Sequence, residues 1–355
     1  MLHFLQAPFY RQAEVKFDLK KKLNRAFTIK TFLLILGLPL RIFTRKELYR
    51  NYYGSLLNLP GAESRRLDKL NANLEITRLL EGTEPCMIAR FGSGEVEAML
   101  RIERYKQMNT IEAAYEFIIS GGKESWSEEN WEGLRLNAGF FSVNRGLLEQ
   151  FLAEMIEACQ HVDLLGSWTK PESRYTNNLS NALITKLENL EPYFCNEPWS
   201  ACLKGKRVLV VHPYAELIRD QYGKHRKQIF PNSTCLPEFD LICLKAVQTI
   251  AGKHDSRFGN WFDALYWMED ESMTLDFDVA LIGCGAYGFP LAARLKKRGK
   301  KVVHLGGALQ ILFGIKGTRW DEKKEFTAMY NQFWTRPGAQ EKPYNFRTIE
   351  GGCYW

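Results

Sequence analysis

The sequence predicts an α/β protein with a Rossmann-like, mostly parallel sheet and helices on both faces, preceded by a helical, basic N-terminal segment. Short runs of Val, Ile and Leu alternate with stretches of helical periodicity, as in parallel strands buried on both faces. Several of these runs end in glycine, at the edge where such sheets bind ligands. The chain has 355 residues, 45% hydrophobic and 25% charged, which is enough for one large or two modest domains.

The first fifty residues hold much of the excess positive charge, which is +7 for the whole chain. Their one strongly apolar run, 31–43, is about 13 residues long and contains Pro39, whereas a membrane-spanning helix needs roughly 20. The segment is therefore either a buried core helix or a helix lying on an anionic membrane. Charge concentrated at one end favours surface docking, and no nucleic-acid-binding motif is present, so we expect no nucleic acid partner.

The remaining elements are predicted from hydrophobic periodicity and from the residues that end each run. Apolar residues at helical spacing predict a first helix that ends near Gly82, and Pro85 then precedes a short buried strand that breaks at Gly92. We divide the chain into the segment 1–50, a domain over 51–334 and a tail over 335–355 that packs on the domain. In chain order the predicted elements are helix 64–80, strand 86–91, helices 95–103 and 147–159, strands 161–168 and 207–212, a helix from 214, strand 278–283, helix 290–298 and strand 301–305.

Several protein classes are excluded by what the sequence lacks. The eight cysteines form no Cys-x-x-Cys pair, which excludes zinc ribbons and thioredoxin-like proteins, and thiols scattered in apolar runs favour a reduced, cytoplasmic chain. There is also no G-x-x-x-x-G-K-[ST], no G-x-S-x-G and no His-Glu-x-x-His. P-loop kinases, α/β-hydrolases and zincins therefore have no support.

The first candidate ligand loop follows the strand 278–283 and has the G-x-G-x-x-G spacing, with Gly283, Gly285, Tyr287 and Gly288. Such a loop lets backbone N–H groups approach a phosphate at a helix N-terminus. A dinucleotide site also needs an acidic residue at the end of the next strand, and that place holds His304. An ordinary nicotinamide site is therefore disfavoured. The loop either contacts a phosphate or nucleotide, or it is only a tight turn that lets the strand and the helix pack closely.

The second candidate loop follows the last predicted strand and contains Gly306 and Gly307 after His304. Neighbouring parallel strands end on the same side, so we expect this loop to lie beside the first one. Lys316 and Arg319 follow and could supply positive charge to a diphosphate. Taken alone, His304 is more simply a buried core histidine and the two cations a solvated surface.

A third candidate site lies after the strand 86–91, where Arg90, Gly92, Ser93 and Glu95 surround a glycine turn. Glu95 falls where a helix begins, so it is either a favourable first-turn acid or a ligand of a divalent cation that bridges a diphosphate. Glu97 faces another direction if the helix has started, which disfavours joint chelation.

The fourth candidate is His212, at the end of the strand 207–212. A histidine at that edge could act as a general base or contact a phosphate, while a structural role is the simpler interpretation.

These motifs resemble the GT-D-type glycosyltransferases of the domain of unknown function 1792 group. The resemblance runs from about residue 60 onward; it rests on ARFGSGE, VVHPYAE, LPEFDLICLKAVQT, the ending EGGCYW and, above all, GCGAYGFPLAARLKKRGKKVVHLGGALQILFGIKGTRW. It implies a GT-D-like catalytic domain, a nucleotide-sugar donor such as a UDP-hexose, and a glycan or lipid-linked acceptor in capsule or O-antigen biosynthesis. It also fits a cytoplasmic enzyme with peripheral contact to the inner face of the cell membrane.

In that group an Asp-x-Glu motif after Arg-Phe-Gly is associated with a divalent metal, Mn²⁺ or Mg²⁺. Ser93 stands here in place of the aspartate and Glu95 matches the glutamate, so metal binding would fall on Glu95. The resemblance thus assigns Glu95 and His212 to catalysis. The donor would be held by Arg90, Gly92, Ser93, Gly283, Gly285, Tyr287, Gly288, His304, Gly306, Gly307 and Lys316.

Two other functions remain open on the sequence alone. One is a nicotinamide-dependent oxidoreductase that uses the loop 283–288. The other is a non-catalytic nucleotide-binding protein of a polysaccharide assembly complex.

Overall fold

A computed structural model describes residues 56–58, 62–119, 121–232, 234–253 and 255–355. The chain divides into two compact units, and the described residues of the smaller one lie within 105–130. The larger unit holds the described residues of 53–104 and 131–355. The predictions for the N-terminal segment, including the apolar run 31–43, fall outside the described residues, and the three-part division of the chain stays a prediction.

Seven strands form one sheet in which all pairs of neighbours are parallel, in the order β3-β2-β1-β7-β6-β4-β5. The parallel sheet predicted from the sequence is thus confirmed. The strands are β1 (Met87–Ala89), β2 (Leu164–Ser167), β3 (Leu183–Lys186), β4 (Arg207–His212), β5 (Asp240–Lys245), β6 (Val279–Ile282) and β7 (Lys301–His304).

Helices connect the strands, and several 3₁₀ turns lie between them. The α-helices are α1 (Lys69–Glu81), α2 (Ser93–Gln107), α3 (Thr110–Ile119), α4 (Glu132–Ala138), α5 (Arg145–Cys159), α6 (Ala215–Ile229), α7 (Trp261–Met273), α8 (Gly288–Lys297), α9 (Leu309–Leu312), α10 (Thr318–Asp321) and α11 (Lys324–Thr327).

The inner strands are buried except for the first residues of β4 and β7, which is why their sequences read as continuous apolar runs. Every residue of β1, β2 and β6 is buried, so both faces of the sheet are covered. Helix α8 packs on β7 and β1 and also contacts α5 and α7. The edge strand β5 is half-buried, and its sequence lacks the continuous apolar signal.

Local chemistry explains where the helices begin. The predicted helix 64–80 starts later, at Lys69, because the Asp68 carboxylate accepts a hydrogen bond from the N–H of Asn71 (2.8 Å) and caps α1. Asn144 caps α5 in the same way, through the N–H of Leu147 (3.0 Å).

The strand order brings four of the predicted strands together, since β1, β7, β6 and β4 are adjacent. Their carboxyl ends, which carry all four candidate site motifs, therefore lie side by side at one edge of the sheet. All eight cysteines are free thiols. Across the described ranges, no helix combines the length and apolarity that crossing a membrane requires.

Candidate functional site

Arg90 follows β1 directly and is the most unusual charge at this edge. Its Nε donates to the carbonyl of Phe91 (2.8 Å), and its guanidinium lies 4.8 Å from the centre of the Trp168 ring. Among the described residues no carboxylate forms an ion pair with it, although the side chain is half-buried. Removal from water, together with the positive charge of Arg319, lowers the pKa of Arg90. The charges of Glu95 and Glu172 favour the ionised guanidinium, but neither carboxylate forms an ion pair with it, so a bound anion would stabilise this desolvated cation.

Glu95 lies in the first turn of α2 and its carboxylate folds back over the glycine turn. A side chain at Gly92 would overlap the Glu95 carboxylate, so glycine is needed there for close approach. Burial raises the pKa of Glu95, opposed by a hydrogen bond to its own backbone and by the charge of Arg90. The Glu95 carboxylate thus lies in the first turn of the helix and also close to the Arg90 guanidinium. This position is compatible with a first-turn acid and with a ligand of a divalent cation, the two interpretations of the sequence.

The Gly306–Gly307 loop after β7 separates Arg90 from a pocket on the other side. Gly306 has φ +60°, and a Cβ on it would lie 2.9 Å from Nη1 of Arg90. A Cβ on Gly283 would lie 2.7 Å from the Gly306 carbonyl, and a side chain at Gly307 would overlap the ring of Tyr354. The two glycine loops therefore do lie side by side, as the sequence predicts, and leave room for the groups between them.

The pocket beyond this loop lies over the ends of β6, β4 and β5. About 570 Å³ of space free of protein atoms lies within it, open solvent at its mouth included. None of the described residues that line it is Asp, Glu, Lys or Arg. Its polar side chains are Asn137, His212, Tyr214, Gln248, Thr249, Tyr287, Gln310 and Tyr354.

His212 lines this pocket as a neutral imidazole. Its Nδ1 accepts a hydrogen bond from the N–H of Tyr214 (3.0 Å), which leaves the ring proton on Nε2. Burial lowers the pKa of His212 to about 3, because the charged ring would lose its hydration. In this tautomer the ring presents a donor to the pocket, and its predicted role as a base stays a prediction.

The G-x-G-x-x-G loop is explained first by packing. A side chain at Gly288 would overlap the ring of His304, whose Nδ1 lies 3.2 Å from the Ile282 carbonyl. Burial lowers the pKa of His304 to about 3. The Tyr287 hydroxyl lies 2.8 Å from Oγ1 of Thr249, and its ring stacks on Trp261 with centroids 4.8 Å apart. Gly283, Gly285 and Tyr287 line the pocket, whereas donor contacts by Gly288 and His304 stay predictions.

Of the two cationic side chains that follow the second loop, Lys316 and Arg319, it is Arg319 that contacts a residue of the site. Its guanidinium lies 4.5 Å from the centre of the Tyr354 ring and donates to Glu350 (2.5 Å). The neighbouring Tyr354, Cys353 and Glu350 raise the pKa of Arg319 against its partial burial. The Lys316 ammonium instead lies 5.0 Å from the centre of the Tyr330 ring, and its donor contact stays a prediction.

The described residues offer few side chains that could bind a metal ion at this site. Across the described residues no group of three or more His, Cys, Asp or Glu side chains is arranged to hold a metal ion. Ser93 is exposed at the start of α2 and Glu95 is the one carboxylate of the predicted motif. A cage made of protein ligands alone does not fit these residues, while a cation held mainly by phosphate oxygens needs only one or two carboxylates.

Trp168 and Tyr354 lie at this edge but are not among the site residues predicted from the sequence. Trp168, after β2, donates from its indole N–H to the Phe91 carbonyl (2.9 Å). Tyr354 lies against Gly307, and its carbonyl accepts from Gln310 (3.2 Å). A tryptophan directly after a buried strand is a signal that could have been used, whereas Tyr354 reaches the site only through the fold of the C-terminal residues.

Of the comparisons with known proteins, the one with solved structures finds similar proteins. No protein-family model and no curated protein matches the chain significantly. Among solved structures, it matches a selenomethionine-substituted domain of unknown function 1792 with 13% identity, a TM-score of 0.38 and coverage of 78% of this chain and 92% of that one. A second structure, of the same domain and described as having a distinct glycosyltransferase fold, gives 13% identity, a TM-score of 0.37 and the same coverage. Both are of the group that the sequence motifs resemble; the likeness is too weak to transfer residues or activity.

Proposed function

We propose that this protein is a glycosyltransferase that moves a sugar from a nucleoside-diphosphate donor to a hydroxyl of a glycan or lipid-linked acceptor. The observation that carries the proposal is Arg90, a half-buried guanidinium without a carboxylate partner in the described part of the chain. An anion of diphosphate size would provide its missing counterion through paired, charge-assisted hydrogen bonds.

The diphosphate would lie over the Gly306–Gly307 loop, next to Arg90. Gly306 leaves room for the Arg90 guanidinium to lie against this loop, since a Cβ there would lie 2.9 Å from Nη1, and the phosphate oxygens would meet the guanidinium at this point. Arg319 adds a second positive charge whose field reaches Arg90. Fixed positive charge at this point stabilises the leaving nucleoside diphosphate as the bond to the sugar breaks.

The uncharged pocket on the other side of the loop suits the neutral parts of the donor. Amides of Asn137 and Gln248 offer donors and acceptors, and tyrosine rings offer flat apolar surface. A nucleoside or a sugar binds through such groups, whereas a diphosphate alone would find no opposite charge there. We propose that the nucleoside of the donor, a UDP-hexose by the sequence resemblance, occupies this pocket.

Glu95 is the proposed general base. The acceptor oxygen forms a bond to the anomeric carbon, the bond from that carbon to the diphosphate oxygen breaks, and the hydroxyl proton passes to the Glu95 carboxylate. A carboxylate whose pKa is raised by burial is a better proton acceptor near neutral pH than an ordinary exposed one. His212 is less suited to this role, because burial lowers its pKa to about 3 and its Nδ1 already accepts a hydrogen bond.

We also propose that Mn²⁺ or Mg²⁺ joins the site together with the nucleotide. Because Glu95 must stay free to accept the proton, it would hold the cation through a coordinated water, and the direct ligands would be diphosphate oxygens and other water molecules. Bound there, the cation would supply additional positive charge to the leaving diphosphate. The expected result is that Mn²⁺ alone does not shift the melting temperature, whereas Mn²⁺ with UDP raises it above UDP alone. An equal shift by Mn²⁺ without nucleotide would contradict this arrangement.

The pathway and place of action are part of the same proposal. Surface polysaccharide assembly at the inner face of the cell membrane would supply lipid-linked acceptors, and the basic N-terminal segment is suited to an anionic membrane surface. Binding of the full chain to vesicles with and without anionic lipid tests this part separately from catalysis.

The proposed activity is tested with a panel of UDP-, GDP- and CMP-sugars. We expect at least one nucleoside-diphosphate sugar to raise the melting temperature and to be hydrolysed slowly in the absence of acceptor. The same assays on Arg90→Ala should lose both responses. No response of the wild-type protein to any member of the panel, with or without Mn²⁺, would refute the proposed function.

A further inference from the structure

Trp168 is an exposed aromatic side chain held rigidly beside the candidate site. It follows β2 and is 44% exposed, although large apolar side chains of this kind usually avoid water. Its indole N–H donates to the Phe91 carbonyl (2.9 Å), and the Arg90 guanidinium lies 4.8 Å from its ring centre. The exposed part of the ring therefore lies away from these two neighbours.

The backbone under Trp168 is fixed as well. The buried carboxylate of Glu172 accepts from the N–H groups of Trp168 (3.3 Å) and Thr169 (3.2 Å) and from Oγ of Ser167 (2.5 Å). Contacts at the ring and at the backbone thus hold the indole in one orientation. A side chain that is already ordered loses little conformational entropy when a ligand packs on it.

We propose that Trp168 is the stacking platform for a pyranose ring of the acceptor glycan. The inference rests on the proposed transferase function and adds the subsite that it lacks. A pyranose ring has an apolar face of C–H groups and a polar rim of hydroxyls. Such a ring buries its apolar face well against a flat indole while its hydroxyls remain free to react or hydrogen-bond.

The position of Trp168 is suited to this ligand. Arg90, the proposed diphosphate contact, touches the indole ring, and the charge of Arg90 acts on Glu95, the proposed base. A sugar on the indole would therefore lie next to the bond that breaks and to the group that takes the proton. The nucleoside pocket lies on the other side of the Gly306–Gly307 loop, so the two substrates would approach from opposite sides.

The test compares Trp168→Leu and Trp168→Phe with the wild type. Saturation-transfer NMR with methyl glycosides of glucose, galactose, mannose and N-acetylglucosamine should detect binding of at least one of them to the wild type. Trp168→Leu should weaken that binding about tenfold, because leucine offers no flat face on which the sugar ring can stack. Trp168→Phe keeps a ring and should retain most of the binding. Tyr344→Ala removes a fully exposed aromatic in the tail and is the matched control.

Two further readings separate this inference from the proposed function. The melting temperature of Trp168→Leu without ligand shows whether the variant is folded, and the nucleotide-sugar thermal shift of the wild type tests the proposed function. If the wild type gives no nucleotide response, the proposed function fails. If the nucleotide response is present but no glycoside binds the wild type, or Trp168→Leu binds as the wild type does, the stacking platform is refuted.

Discussion

The two halves of the sheet edge differ in how well their polar groups are satisfied. At the ends of β7, β1 and β2, Arg90 lacks a carboxylate partner in the described chain, burial raises the pKa of Glu95, and Trp168 is exposed. At the ends of β6, β4 and β5 the groups are neutral and partnered: His212 accepts from Tyr214, and Thr249 bonds to the Gly139 carbonyl (2.6 Å). The first half carries a charge that an anionic ligand would balance, whereas the second half offers uncharged groups alone among the described lining residues.

This difference separates residues proposed to act on the charged, reacting part of the donor from residues proposed to hold its neutral part. Buried polar groups in a folded protein normally find partners, and those that do not are concentrated at functional sites. We therefore expect substitutions in the first half to reduce activity without reducing stability. Substitutions in the second half should act mainly through nucleoside binding and packing, with smaller effects on kcat.

The largest expected effect is that of Arg90→Ala. We expect kcat/KM to fall about 10³-fold, since removing one charge-stabilising donor from an active site costs roughly 10²–10³ and Arg90 also binds the ground state. Arg90→Lys keeps the charge but loses the paired hydrogen bonds, and should recover only part of the loss.

The control for this prediction is Arg219→Ala, which removes an exposed arginine paired with Glu216 on α6. It should leave kinetics unchanged. The melting temperature of Arg90→Ala without ligand should not fall below that of the wild type, because the variant loses a desolvated, unpaired cation. A kcat/KM of Arg90→Ala within twofold of the wild-type value would contradict the proposed difference between the two halves of the sheet edge.

Glu95→Gln is expected to lower kcat about 10²-fold, the usual contribution of a general base. The wild-type rate should fall as the pH drops through the raised pKa of Glu95, because the base must be ionised, and this decline should be absent in the variant.

Glu95→Gln should not lower the stability of the fold, although it should lower the activity. A carboxyl with a pKa raised by folding destabilises the fold at pH values above its unfolded pKa, where the unfolded state is ionised more readily. Glu95→Gln should therefore melt no lower than the wild type at neutral pH. A lower melting temperature with normal activity would make Glu95 a helix-start residue only.

Gly306→Ala tests the narrow space between the two halves, with Gly205→Ala as the matched control. Both glycines have positive φ, +60° and +73°, so both substitutions should cost about 1–2 kcal/mol of stability. A Cβ on Gly205 meets nothing, whereas one on Gly306 would crowd Arg90. Only Gly306→Ala should therefore weaken UDP binding, by about tenfold, as measured by calorimetry. Equal UDP affinity in the two variants would show that the loop does not position Arg90.

His212→Asn is the smallest expected effect and tests the second half. Its amide oxygen can still accept from the N–H of Tyr214, so kcat/KM should change less than about tenfold. Since burial lowers the pKa of His212 to about 3, the decline of the rate at acidic pH should be unchanged. Loss of that decline in His212→Asn would instead assign the base to His212.

Much of the fold follows from the sequence because the inner strands are buried on both faces. β4, β6 and β7 appear as Val-, Ile- and Leu-rich runs ended by glycine or proline, and their predicted bounds agree with the structure to within one residue. β3 and β5 were not predicted: they form the two edges of the sheet, and half-buried edge strands lack the continuous apolar signal. The strand order depends on long crossovers that no local pattern specifies.

The candidate site was predictable in position and less so in composition. Glycines mark the loops where the chain needs close approach, and that placed Arg90 and Glu95 near Gly306 through the adjacency of β1 and β7. The same spacing does not tell whether a glycine makes room for a ligand or for a neighbour, and Gly288 makes room for His304. Trp168 and Tyr354 come from distant parts of the chain, so only the folded structure brings them to the site.

The proposal that Arg90 binds the diphosphate of the donor is tested most directly by a crystal structure of the protein with bound UDP. We expect diphosphate oxygens within hydrogen-bond distance of the Arg90 guanidinium, above the Gly306–Gly307 loop, and the nucleoside in the uncharged pocket. A diphosphate bound elsewhere, with Arg90 still lacking an anion, would contradict the account.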